Sequence, residues 1–104
     1  MCIRDRLRVA QCKALVGKLD KREVPVILAG DFNAGRDSES VDLLLGSGFE
    51  ILVDEKINTF PSNYPKVEID FIMSRGLKYK EYIHSAIDER IASDHRPVLV
   101  ELIP

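Results

Sequence analysis

The apolar run Val24-Pro25-Val26-Ile27-Leu28-Ala29 and the tetrapeptide Gly30-Asp31-Phe32-Asn33 behind it constrain this chain more than any other stretch. The run is short and biased towards β-branched residues, and a turn-prone glycine follows directly. It predicts a strand covered on both faces, with Pro25 standing where a strand begins. Past the strand the chain presents a carboxylate and a carboxamide at alternate positions, Asp31 and Asn33. If the extended backbone continues that far, both point to the same side. A plain turn competes with this reading, because Asp and Asn after Gly are ordinary turn residues.

A chain of 104 residues makes one domain at most. It can bury on the order of two-thirds of its unfolded surface, enough for a usable core. The hydrophobic fraction of 45% and charged fraction of 31% fit a globular chain rather than a disordered one. A net charge of -2 gives no global basic field, so affinity for nucleic acid would need a local patch or a bound cation. Cys2 and Cys12 lack a partner motif downstream, which argues against a disulfide framework and against zinc. No apolar run approaches the roughly twenty residues of a membrane span, and no signal peptide is visible. Localisation stays open.

Leu7, Ala10, Ala14, Leu15 and Leu19 fall at helical spacing, with Arg8, Gln11, Lys13 and Lys18 mostly opposite. This predicts an amphipathic helix ending near Asp20, its basic residues forming a solvated face. Lys21-Arg22-Glu23 is a charged connector. After the loop Ala34–Asp37, Asp37 or Ser38 caps a short helix carrying Val41, Leu44 and Leu45, and Gly46 or Gly48 closes it. Phe49–Val53 is a modest strand candidate, and Asn58–Pro65 is a loop rich in proline and asparagine. Val67–Met73 predicts a strand with Val67, Ile69, Phe71 and Met73 on one face; Glu68, Asp70 and Ile72 take the other, with Asp70 near its working end. Tyr79–Ala86 is a weaker strand, and the apolar strand Val98–Ile103 closes the chain.

Three islands place polar groups where the surroundings predict core: Asp31 with Asn33, Asp70, and Asp94-His95. A carboxylate amid Val, Ile, Phe and Met is costly to bury without a partner or a metal. An Asp bonded to an imidazole fixes its tautomer and raises its basicity, which general acid–base chemistry requires. Asp94 adds an oxygen ligand for a hard cation. Pro97 holds Arg96 extended, so this loop delivers Asp94 and His95 in a fixed pose at the entrance of the last strand. A carboxylate beside a donating amide at a strand end suits a phosphate and an attacking water. Taken singly, each island has a plainer reading: a loop Asp-His pair as surface polarity, a strand Asp as an edge residue.

Together, Gly-Asp-Phe-Asn at 30–33, Ile-Asp-Phe-Ile at 69–72 and Ser-Asp-His-Arg-Pro at 93–97 resemble three signature blocks of the endonuclease/exonuclease/phosphatase superfamily. They occur in the family's order, and the resemblance runs from about Val24 to Leu102. That family includes deoxyribonuclease I, apurinic endonucleases, inositol-polyphosphate phosphatases and neutral sphingomyelinases. The Thr-Phe-Pro and Pro-x-x-x-Ile-Asp pattern around Thr59–Asp70 looks closest to its bacterial metal-dependent hydrolases.

The resemblance implies an α/β fold, the C-terminal half of a four-layer α/β sandwich with a mixed, mainly antiparallel sheet and flanking helices. It implies metal-dependent phosphoester hydrolysis with Mg²⁺ or Mn²⁺, on a nucleic acid, a phospholipid or a sugar phosphate. Asp31 would orient or deprotonate the attacking water, and Asn33 would hydrogen-bond the scissile phosphate. Asp70 would hold His95, which contacts a phosphate oxygen, while Asp94 and Asp31 serve as metal ligands. Arg36, Arg96 and an aromatic of the Asn58–Pro65 loop, Tyr64 or Phe60, are candidates for further substrate contact; a salt bridge competes for Arg96, and packing on the loop for the aromatics.

The family's first half, with an asparagine and a metal-binding glutamate, has no counterpart here. The chain therefore reads as a partial domain over residues 7–104, weakly active or inactive alone, with an exposed face prone to association. Residues 1–6, Met-Cys-Ile-Arg-Asp-Arg, resemble translated sequencing-adapter read-through from metagenomic assembly, a non-native leader. The rival class is a non-catalytic binding module derived from the same fold.

Overall fold

The structure, a computed structural model, describes residues 3–21, 23–53 and 56–104. Met1 and Cys2 of the expected leader and Arg22 of the expected connector lie outside the described residues. Helix α1 (Ile3–Leu19) leads into strand β1 (Val26–Asp31), helix α2 (Glu39–Gly46) and the short strand β2 (Glu50–Ile51). Strands β3 (Asp70–Arg75), β4 (Glu81–Ala86) and β5 (Val98–Ile103) follow. The sheets are antiparallel: a three-stranded one in the order β1-β3-β2, and a two-stranded one of β4 and β5. The expected α/β class with antiparallel pairing and flanking helices therefore holds.

The core forms where both helices cover one face of the three-stranded sheet. Val41 and Leu44 of α2 pack with Phe49 and with Phe71 and Met73 of β3; Cys12, Val16 and Leu19 of α1 close over them with Val26 and Leu28 of β1. The buried stripe of α1 thus runs Val9-Cys12-Val16-Leu19, rotated from the expected Leu7-Ala10-Ala14-Leu15-Leu19 face and sharing Leu19 with it; Leu7 is exposed. Apolar residues nearly encircle this helix, so spacing could not select the stripe, and contact with α2 and the sheet does. Ser38 caps α2, its hydroxyl accepting the Val41 N–H at 3.3 Å. Gly48 completes the exit with φ 96°, a conformation glycine adopts freely.

Two strand expectations change. β1 is covered on one face only: Val26 and Leu28 face the helices, while Ile27 is 57% exposed. The expected strand from Val67 begins at Asp70 instead, with Val67 in an isolated bridge to Phe60 and exposed. The cause is Glu68, which is buried and takes the Arg36 guanidinium (2.6 and 2.9 Å) and the Ile57 N–H (3.1 Å). These bonds tie the segment to two loops ahead of the strand. The β1–β3 register sets Leu28 opposite Met73 on the core face and Asp31 opposite Asp70 on the other face. Both carboxylates thereby leave the core at one end of the sheet.

Candidate active site

Two carboxylates directly across an antiparallel pair stand close enough to repel each other. Asp31, the last residue of β1, and Asp70, the first of β3, are such a pair, and the His95 imidazole sits between them. Its Nδ1 lies 2.8 Å from Asp70 Oδ2, a hydrogen bond, and its Nε2 lies 3.5 Å from Asp31 Oδ2. The Asp70 hydrogen bond and the nearby charges of Asp70, Asp31 and Asp94 hold the imidazole pKa above its ordinary 6.5, against partial desolvation. One ligand atom from each of Asp31, Asp70 and His95 falls within 4.8 Å of the others. The donor set is thus fit for a cation.

The surrounding bonds decide which oxygens of that set stay open. Asp70 Oδ2 also accepts the Thr59 hydroxyl at 2.6 Å. Asp31 Oδ1 accepts the Asn33 backbone N–H at 2.7 Å. This bond replaces the expected strand alternation: the extended backbone stops at Asp31 and Asn33 turns to φ 51°. Asn, which tolerates the left-handed region, suits that position. Asp94 is exposed; its backbone carbonyl takes the Ser62 N–H at 2.7 Å, and its carboxylate stands apart from the three-residue cluster. A cleft of about 290 Å³ runs from Asp31 and Asp70 along Ala29 and Ile72 to Arg96, Pro97 and Val98. The larger hollow along α1 is lined by Ala14, Gly17, Lys18 and Lys21, with no carboxylate or imidazole among the described lining residues.

The remaining candidates are placed as follows. Arg96 donates from Nε to the Ser62 carbonyl (2.9 Å) and pairs with Asp88 (3.2 Å), bonds that anchor its own loop. Arg36 is bound to Glu68. Phe60 lies against the His95 ring, centroids 4.7 Å apart. Tyr64 is 74% exposed and lines none of the clefts just described.

Residues passed over in the sequence complete the frame. Buried Ser62 donates its one hydroxyl proton chiefly to the Ser93 carbonyl at 2.6 Å, with the Arg90 carbonyl sharing it at 3.1 Å, and so holds the loop that presents His95. Buried Thr59 reaches Asp70. Hydroxyl residues in a loop carry no mark of burial; the Thr-Phe-Pro pattern was the only hint available.

The sequence model of the endonuclease/exonuclease/phosphatase family matches residues 3–95. The chain belongs to this family. Among solved structures it resembles a functionally unknown conserved protein from Enterococcus faecalis V583, at 25% identity and TM-score 0.77 over 96% of this chain and 45% of that one. It also resembles an endonuclease/exonuclease/phosphatase family protein from Bacteroides thetaiotaomicron, at 26% identity and TM-score 0.75 over 94% of this chain and 44% of that one. No curated protein matches. The chain spans less than half the length of either structure. Family membership gives it a phosphoesterase-type hydrolase fold, and the Asp31–Asp70–His95 cluster offers ligand atoms for the divalent metal that the family generally uses.

Proposed function

We propose that this chain contributes the Asp31–Asp70–His95 part of a divalent-metal-dependent phosphoester hydrolase, as the C-terminal portion of a longer catalytic domain. The observation that carries the proposal is the imidazole held at Nδ1 by Asp70, with Nε2 aimed at Asp31 across 3.5 Å. That gap is longer than a direct hydrogen bond. It leaves His95 Nε2 and Asp31 Oδ2 free to act on atoms brought between or beside them. Asp31 orients the attacking water and accepts its proton. His95, protonated at Nε2, donates to a phosphoryl oxygen as negative charge builds there. The Asn33 carboxamide hydrogen-bonds another oxygen of the same phosphate.

Asp31, whose Oδ2 is left outside the hydrogen bonds of the cluster, would hold Mg²⁺ or Mn²⁺ in preference to Asp70, whose Oδ2 is already engaged by two donors; Asp94, exposed beside the cluster, would turn in as a second oxygen donor. When bound, such an ion supplies positive charge to the phosphoryl and leaving oxygens. Because the matched structures are more than twice the covered length, the chain alone is expected to be weakly active or inactive.

The test is hydrolysis of bis(p-nitrophenyl) phosphate with Mg²⁺ or Mn²⁺. It compares this chain with a version extended by the N-terminal half of a related family member, each with and without His95→Ala. Turnover in the extended protein that vanishes with His95→Ala supports a hydrolase. A folded extended protein that is silent on this ester, on DNA and on phospholipid would sink the reading and favour a non-catalytic binding module.

A further inference from the structure

Thr59 is fully buried (0% exposed), and each of its hydrogen-bonding groups is used. Its N–H donates to the Val67 carbonyl at 2.8 Å, and its carbonyl accepts the Arg96 N–H at 2.8 Å, immediately after His95. The hydroxyl oxygen receives the Ile69 N–H at 3.4 Å. A hydroxyl has one proton to give, and here it goes to Asp70 Oδ2 at 2.6 Å, a short bond of the charge-assisted kind. The same oxygen accepts His95 Nδ1. Thr59 therefore grips both halves of the Asp70–His95 pair, the carboxylate through its side chain and the histidine loop through its backbone.

We infer that Thr59 is a positioning residue whose hydroxyl fixes the rotation of the Asp70 carboxylate, and through it the tautomer and orientation of the His95 imidazole. The inference rests on the reading that Asp70 holds His95 for chemistry. The physical reason is the freedom of a carboxylate. Its terminal torsion is broad and roughly two-fold, so one imidazole N–H alone leaves Asp70 free to swing. A second donor on the same oxygen, from a buried β-branched residue with a stiff χ1, removes that freedom. Asp70 then orients His95, and Nε2 is left facing Asp31.

The test reads the imidazole directly, in the full chain without metal or substrate. Long-range proton–nitrogen NMR of ¹⁵N-histidine protein is recorded at alkaline pH, where the imidazole is neutral, with His84 as internal reference. The wild type is expected to show His95 as the Nδ1–H tautomer with a slowly exchanging Nδ1 proton. Thr59→Val, which keeps the shape and removes the donor, is expected to lose the slow proton and move both nitrogens towards a tautomer average. Thr59→Ser restores the donor and is expected to restore the wild-type signals.

Wild-type His95 signals in Thr59→Val would overturn the inference. So would a failure of Thr59→Ser to rescue them, since the methyl group would then be what matters. Should Thr59→Val lose its dispersed amide spectrum, Thr59→Cys takes its place, because a thiol is a weak donor; unchanged His95 signals there overturn the inference equally. No turnover enters this readout, so it can fail while the hydrolase proposal stands, and the reverse.

Discussion

Asp31 and Asp70 face each other across the β1–β3 ladder, and the His95 imidazole spans the interval, bonded at 2.8 Å to Asp70 and 3.5 Å from Asp31. Two like charges in register would weaken the end of the sheet. The His95 ring between them, with its pKa raised by both carboxylates, offsets that conflict, so the cluster couples local stability to the chemistry proposed for it.

His95→Ala and Asp70→Asn should both suppress turnover in the extended, active protein. General acid–base groups contribute about 10²–10⁴-fold, so His95→Ala is expected to lower kcat within that range. Asp70→Asn keeps the shape but offers an amide to Nδ1, and should fall between His95→Ala and wild type. Steady-state kinetics on bis(p-nitrophenyl) phosphate checks the order.

Stability of the metal-free protein should depend on pH through His95. Its pKa is raised in the folded state above the ordinary 6.5, first by the Asp70 hydrogen bond, so the folded chain binds this proton more tightly than the unfolded one. The resulting stabilisation is complete below 6.5 and is lost as pH rises through the elevated folded value. Thermal unfolding in EDTA should show this decline in the wild type. In His95→Ala the slope over the same window should be flatter.

The Arg36–Glu68 pair should respond asymmetrically to removal of either partner. Glu68's side chain is 3% exposed and Arg36's is 34% exposed. Arg36→Met strands a buried carboxylate, which costs about 3 kcal/mol. Glu68→Gln leaves a guanidinium that can turn towards water and should cost distinctly less. Urea unfolding of both variants measures the difference, and equal losses would contradict the argument.

Ile83 and Leu99 lie on one face of the β4–β5 sheet and are 49% and 44% exposed, while Ile27 on β1 is 57% exposed. Apolar side chains displayed this way favour association. Sedimentation velocity is expected to show concentration-dependent self-association, reduced by combining Ile27→Thr with Leu99→Thr. These β-branched polar replacements keep strand propensity.

The sequence by itself determined the element types, the last strand to the residue, a cap at Asp37 or Ser38 and the three motif islands. These follow from local periodicity, turn chemistry and a family pattern that each short segment carries within itself. The tertiary structure decided the rest. Only packing against α2 and the sheet selected Val9-Cys12-Val16-Leu19 on a helix whose apolar residues point in several directions. Long-range bonds of the segment before β3, the Arg36–Glu68 pair 32 residues apart in the chain and the Val67–Phe60 bridge among them, hold it off the ladder until Asp70. The site shows the same division. Asp31, Asp70 and His95 stood out because carboxylates and an imidazole are conspicuous amid Val, Ile and Phe. Thr59 and Ser62 did not, because a hydroxyl reveals its role only when burial takes away water and leaves it partners within the protein.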